Sequence, residues 1–545
     1  MFRNNLWKRP IEYIFVLLSL SFSYGFISSS NRQLSKDEPP LQTVQTYYGR
    51  ISGVPAPTPG VEVFKGIPYA APPVGKLRWR APQPPEKWEG ILKADHFCDN
   101  CIQASRHKQL HPPHSRRKSV WTKPFLIPND SLSENCLYLN IWTAASSPKE
   151  RRPVMVWIHG GGFQSGSGSV PVYNGERMAK KGVVFVTINY RLNVFGFLAL
   201  PELTQESEHG SSGNYGLLDQ ITALKWVKQN ISAFGGDPNN VTIDGQSAGA
   251  FSINYLVASP PAHGLFQRAI AESGGNVVPN PMHRTLPQKE AEQKGQKLMK
   301  KLQVQSLRQL RKIPADSIYR AADSFSPNID GYVLPKPIAS IFAHGEQNDV
   351  STLTGWNADE GTAFTIYSKP TTAKAFNQQA RQMFGERASK FLQYYPAQND
   401  DQAQTSQMAL TRDLLFAIQN YEWANLQSET GKSNVYLYSF DRKLPAKGDF
   451  KFFGAFHSGE IAYALDNLKY LDRPWKRTDR HLADVMSSYW VNFAKTGNPN
   501  GVGLPEWQAY EADKGKNMEL GKTIGVQTIP NKSAMDFLID YFGGY

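Results

Sequence analysis

Residues 241–250 read VTIDGQSAGA: β-forming residues run into a serine, Ser247, with a glycine two positions away on either side. Serine is an ordinary turn residue, and glycine-rich turns join strands to helices in many folds. At average glycine content, a chance Gly-x-Ser-x-Gly arises in about one chain of this length in four. The pattern therefore takes its meaning from its neighbours.

Upstream, Leu217, Ile221, Leu224, Val227 and Ile231 recur at spacings of three and four. They predict an amphipathic helix that Gly235 and Gly236 end. Asp237-Pro238-Asn239-Asn240 is turn chemistry leading into a strand at Val241, and the residues from Ala250 onward continue as a helix. Ser247 then lies on a strand-to-helix turn. That is the setting of a nucleophile elbow, in which close helix packing leaves no room for side chains at Gly245 and Gly249. A second motif lies earlier: the apolar strand Val154–Ile158 runs into His159-Gly160-Gly161-Gly162. Glycines there let the backbone approach a ligand oxygen and aim N–H groups at it. Between the two motifs, Val183–Tyr190 is another apolar strand. Strands alternating with helices predict an α/β chain with a largely parallel, doubly wound sheet.

A serine hydroxyl needs a base, and the base needs an orienting acid. "TLTGWNADEGTAF" sets Asp359 and Glu360 just after an apolar strand, and "FFGAFHSGEIAYAL" sets His457 after the strand "NVYLYSFD" and a loop. Both sites follow the carboxyl ends of strands, the edge at which α/β sheets bind ligands. The order Ser247, Glu360, His457 is that of nucleophile, acid and base in α/β-hydrolases. The chain has 11 histidines, and patterning alone does not choose among them.

The 545 residues contain no internal repeat and no Pro/Ser/Gly-rich linker, which favours one large unit over residues 40–545. Arg3, Lys8 and Arg9 precede the apolar stretch Ile11–Ile27, so residues 1–30 read as an export signal, with a retained N-terminal anchor as the rival. No other run approaches the ~18 apolar residues needed to span a bilayer, so no transmembrane segment is expected in the mature chain. The net charge of +13 would concentrate the protein near anionic polymers or membranes, while no basic helix or RNA-binding aromatic motif points to nucleic acid. Three cysteines, Cys98, Cys101 and Cys136, suit one disulfide and one thiol in an exported chain. His107, His111 and His114 follow closely, but their spacing from Cys101 suits no common zinc module; a solvated basic loop is the better reading.

The motifs together resemble the type-B carboxylesterase family, which includes cholinesterases and non-catalytic adhesion proteins. The resemblance runs from about Tyr47 to the C-terminus and rests on "FKGIPYAAPPVGKLRWRAP", "ENCLYLNIW", "WIHGGGFQSG", "INYRLNVFGFL", "FGGDPNNVTIDGQSAGA", "GWNADEG", "FHSGEI" and "WVNFAKTGNPN". It implies an α/β-hydrolase fold, a large mostly parallel central sheet flanked by helices. It implies ester hydrolysis through an acyl-enzyme, with Ser247 as nucleophile, His457 as base and Glu360, not Asp359, as acid. The oxyanion hole would be the N–H groups of Gly161, Gly162 and Ala248, and Ser273 would be a serine near the acid. It further implies a Cys101–Cys136 disulfide worth about 3.5–4 kcal/mol in the chain-entropy model. Arg78 with Glu134 and Arg191 with Asp219 would be structural ion pairs; no cofactor or metal is called for.

Three departures bear on substrate. The loop between Cys101 and Cys136 carries Arg106, Lys108, Arg116, Arg117, Lys118 and Lys123; Trp121 sits only loosely where cholinesterases place a cation-binding tryptophan; Gln246 replaces their glutamate. A basic gorge mouth would repel choline and attract anionic esters, and its competing reading is a solvated face far from the pocket. A small-molecule ester is the expected partner. A non-catalytic adhesion module would lack the serine or histidine, and an interfacial lipase would want an apolar lid.

Overall fold

β-Branched and aromatic residues dominate Val154–Ile158 and Val184–Ile188, short runs bounded by turn residues. The computed structural model describes residues 41–105, 119–282, 284–365 and 370–543, and places both runs inside an eleven-stranded sheet. In chain order the strands are β1 (Val54–Pro55), β2 (Glu62–Pro68), β3 (Tyr138–Thr143), β4 (Arg152–Ile158), β5 (Val184–Ile188) and β6 (Gly236–Gln246). The second half adds β7 (Arg268–Glu272), β8 (Ser351–Asn357), β9 (Val435–Phe440), β10 (Lys516–Leu520) and β11 (Ile524–Thr528). Their spatial order is β11-β10-β9-β8-β7-β6-β4-β5-β3-β2-β1. From β10 to β5 every pair is parallel; antiparallel pairing is confined to the margins.

The period of two along each strand divides the core. Val154, Val156 and Ile158 face one side with Ile243 and Ala271, under helices α1 (Tyr215–Asn230) and α2 (Ala248–Ala258). Met155 and Trp157 face the other with Ile270 and Leu353, beneath the helix Arg477–Thr496, which buries Met486, Trp490 and Phe493. Burial on both faces is why the central strands read as continuous apolar runs.

Two local readings shift. Helix α1 ends at Asn230, and Ile231–Phe234 tightens into a 3-10 turn before Gly235, whose φ of 80° closes it. Asp237–Asn240, expected as a turn ahead of the strand, lies within the span of β6, where the register with β4 slips between Gly236 and Val241. The turn chemistry survives as a bulge: the Asn239 N–H donates to Asp237 Oδ1 at 3.0 Å.

Cys101 and Cys136 are joined, with Cα atoms 5.1 Å apart, and Cys98 is free and half-buried. Arg78 donates to both carboxylate oxygens of Glu134 at 2.6 and 2.5 Å. Arg191 does the same to Asp219 at 2.8 and 2.7 Å, and both members of that pair are buried. Removing one partner of such a buried pair leaves an uncompensated charge and costs about 3–5 kcal/mol. Among the described residues no helix is long and apolar enough to cross a membrane. The expected export segment, residues 1–30, lies outside the described residues, as do Arg106, His107, Lys108, His111, His114 and Arg116–Lys118.

Candidate active site

Strand β6 ends at Gln246 and α2 begins at Ala248, so Ser247 alone makes the corner, with φ 57° and ψ −123°. A non-glycine residue held there is strained and persists only where its surroundings over-determine it. Here the Ser247 N–H donates to Glu272 O and its carbonyl accepts from the Phe251 N–H, both at 2.9 Å. The elbow glycines are obligatory for want of space. A Cβ on Gly249 would lie 2.0 Å from the Ile158 carbonyl oxygen, and one on Gly245 2.5 Å from the same atom.

The end of β8 organises the other side. Glu360 begins a short 3-10 turn just beyond Asn357, is fully buried, and accepts the Asn357 N–H on Oε1 at 2.8 Å. Its Oε2 takes the Nδ1 proton of His457 at 2.5 Å, and Nε2 of the same ring lies 2.8 Å from Ser247 Oγ. With the acid at Nδ1, the neutral imidazole keeps its proton there and turns the Nε2 lone pair toward the serine hydroxyl. Asp359 points elsewhere: its carboxylate accepts the Ala455 N–H at 2.8 Å, and its own N–H donates to Ala455 O. Asn357 Nδ2 donates to Phe456 O at 2.9 Å. One strand end thus supplies the carboxylate and pins the loop that brings His457 to it.

After β4, Gly161 and Gly162 adopt φ of 114° and 62°. The Gly161 carbonyl accepts from Gln164 and Ser165 N–H groups at 3.0 and 3.1 Å, which folds the loop back. Among the described residues no acceptor takes the N–H groups of Gly161, Gly162 or Ala248. His159 braces this loop: its Nδ1 is 2.9 Å from Gly160 O, its ring stacks on Tyr190, and burial depresses its pKa to about 4, leaving it neutral.

Ser247, His457 and Gly160–Gly162 border a cavity of about 290 Å³. Trp121, Phe125, Leu126, Ile127, Tyr173 and Phe364 form its apolar wall, and no Asp, Glu, Lys or Arg is among its described lining residues. Lys123, from the same segment, is exposed. Sequence reasoning missed a polar string in the floor. Trp121 Nε1 donates to Ser458 Oγ at 3.3 Å, and that hydroxyl donates to Gln246 Oε1 at 3.2 Å. The Gln246 amide nitrogen lies 3.3 and 3.4 Å from the two ring nitrogens of His457. Ser273 meets Glu460, not Glu360: its hydroxyl donates to Glu460 Oε1 at 3.2 Å, while Asn357 Nδ2 donates to Glu460 Oε2. Burial, then the charge of Glu360, pushes the Glu460 pKa up to about 8. No cluster of three or more His, Cys, Asp or Glu that could hold a metal occurs among the described residues.

A serine at the corner between a central parallel strand and its helix, on a sheet of this order, is the α/β-hydrolase fold. Residues 40–538 match the model of the Carboxylesterase family, and the chain belongs to that family. It is 36% identical over 505 residues to the Fumonisin B1 esterase of Sphingopyxis macrogoltabida, covering 90% of this chain and 88% of that one. It is 36% identical over 511 residues to the para-nitrobenzyl esterase of Bacillus subtilis (strain 168), covering 90% and 96%. A solved structure of a PNB esterase superposes with a TM-score of 0.77 at 34% identity, over 91% of this chain and 99% of that one. The protein is a carboxylic ester hydrolase of the serine carboxylesterase class.

Proposed function

We propose that Ser247, His457 and Glu360 carry the hydrolysis as nucleophile, base and orienting acid. The observation that supports this is the unbroken hydrogen-bond chain Ser247 Oγ–His457–Glu360 at the edge of the cavity. Ser247 Oγ attacks the ester carbonyl carbon while its proton passes to His457 Nε2. The carbonyl oxygen becomes an oxyanion within reach of the Gly161, Gly162 and Ala248 N–H groups, at the positive end of α2. Losing one such donor typically costs about 2.7–4 kcal/mol of transition-state stabilisation. The alcohol leaves with the proton from Nε2, giving the acyl-enzyme; water then enters by the same proton path and releases the acid. Glu360 takes no proton in either step and faces the imidazolium.

An adhesion role without catalysis is disfavoured, since all three side chains are present and in register. The described lining of the cavity, apolar and without Asp, Glu, Lys or Arg, supports neutral esters with modest groups, and para-nitrobenzyl esters are the natural first substrates given the relative named for them. The neutral Gln246 disfavours a choline ester. Residues 40–545 form the catalytic unit in this reading. Export fits the basic start, the apolar stretch Ile11–Ile27 and a structural disulfide, which persists in oxidising compartments. Ser247→Ala tests the proposal: it should fold like the wild type, lose nearly all esterase turnover and resist an organophosphate that labels the wild-type Ser247. Substantial turnover by the folded variant would refute it.

A further inference from the structure

Helix α3 (Asp400–Arg412) passes into α4 (Ile418–Thr430) through one π-helical turn, Asp413–Ala417. Such turns insert an extra residue, leave carbonyls without their usual partners and recur at functional sites. This one is supported by buried side chains. Leu414 O accepts from Gln419 Nε2 at 3.2 Å and Asn280 Nδ2 at 3.1 Å, and Phe416 O accepts from Asn420 Nδ2 at 2.7 Å. Asn420 Oδ1 in turn accepts from Thr354 Oγ1 on β8 at 2.7 Å, tying the turn to the strand that delivers Glu360. At its start, Asp413 is clamped by Arg412 at 2.6 and 2.8 Å and by the Tyr395 hydroxyl at 2.7 Å.

The turn delivers Phe416 to the imidazole. Its ring stacks on His457 with centroids 4.3 Å apart and planes 26° apart. Phe364, four residues beyond Glu360, stacks on Phe416 at 5.7 Å and lies 5.2 Å from the imidazole centroid.

We propose that Phe416 is a positioning residue that keeps the His457 ring in plane with Ser247 and Glu360 through the acyl-enzyme stage; this rests on the roles proposed above for those three residues. Before acylation, hydrogen bonds hold both ring nitrogens. Once Oγ is esterified it has no proton to donate to Nε2, and of the two hydrogen bonds within the triad the ring keeps only that to Glu360, beside the longer approach of the Gln246 amide nitrogen at 3.3 and 3.4 Å. A flat aromatic contact then resists tipping and favours the imidazolium that forms as water attacks. The stack therefore matters more for deacylation than for acylation.

The test is pre-steady-state hydrolysis of a p-nitrophenyl ester by wild type, Phe416→Leu and Phe416→Tyr, with organophosphate labelling of Ser247 in each. Leucine keeps an apolar filler and removes the ring; tyrosine restores the ring. Phe416→Leu should lose about tenfold or more in kcat while kcat/KM changes by less than about threefold, because acyl-enzyme accumulates. It should release an initial burst of p-nitrophenol approaching one equivalent per labelled serine, and Phe416→Tyr should return kcat toward the wild-type value. A merely space-filling Phe416 gives equal losses in kcat and kcat/KM, or none, and no added burst; that result overturns the proposal. Failure of the organophosphate to label Ser247 in the wild type overturns the underlying site reading instead. If Phe416→Leu does not fold, Phe416→Met, flexible and without a ring, takes its place with the same expectations.

Discussion

Replacing Glu360 by glutamine is a nearly isosteric change with a large expected effect. Among the described residues the fully buried carboxylate makes two hydrogen bonds, accepting the Asn357 N–H on Oε1 at 2.8 Å and the His457 Nδ1 proton on Oε2 at 2.5 Å. Glutamine can keep the first with its carbonyl oxygen, which sets its NH₂ group against Nδ1. The imidazole must then accept at Nδ1 and carry its proton on Nε2, 2.8 Å from Ser247 Oγ, where a base is required. The imidazolium also loses its counter-charge. An analogous acid-to-amide change in the serine protease triad lowers kcat by about 10⁴, so we expect a loss of about 10³–10⁴, or about 4–5.5 kcal/mol of activation free energy. Steady-state hydrolysis of a p-nitrophenyl ester measures it, with thermal unfolding as the check on folding. Asp359→Asn is the paired control. Among the described residues its carboxylate accepts one hydrogen bond, from the backbone N–H of Ala455, which an amide oxygen also satisfies, and its charge acts on Arg412, so its kcat should stay within about tenfold of wild type. Equal damage from Asp359→Asn, or activity of Glu360→Gln within tenfold of wild type, would refute the reasoning.

Non-reducing peptide mapping should recover the Cys101–Cys136 pair, and Cys98 should react slowly with alkylating reagents at neutral pH, because burial raises its pKa to about 11; a crosslink involving Cys98 contradicts this. Glu460 should make stability fall as pH rises. Its folded pKa, near 8, exceeds the ordinary 4.5, so the folded chain binds the extra proton between those values and its contribution is lost as pH climbs through them. Glu460→Gln should then lose less stability than the wild type between about pH 5 and 8 in denaturant titrations, and parallel losses would count against it. Matched anionic, neutral and quaternary-ammonium esters should share similar kcat values, and any charge preference should sit in kcat/KM and shrink as salt shortens screening below ~8–10 Å. Salt-independent ratios would exclude a steering role for the basic loop.

The elbow was legible because its causes are local. A strand period of two, a helix period near four and two glycines with no space for a Cβ all lie within a few residues of Ser247, as does the turn chemistry that became the bulge in β6. The glycine loop after β4 is legible for the same reason. Patterning could not choose His457 among the histidines. Its bond to Glu360 spans 97 positions and its bond to Ser247 spans 210, and periodicity reports which face of an element is apolar, not which loops meet at a sheet edge. The family resemblance supplied that choice by matching motifs. Neither route reached Phe416 or the contact of the Gln246 amide with His457. The π-turn depends on Asn280 and Thr354, which approach from distant elements, and the Gln246 amide is oriented by Ser458, so both are set by contacts that exist only once the chain has folded.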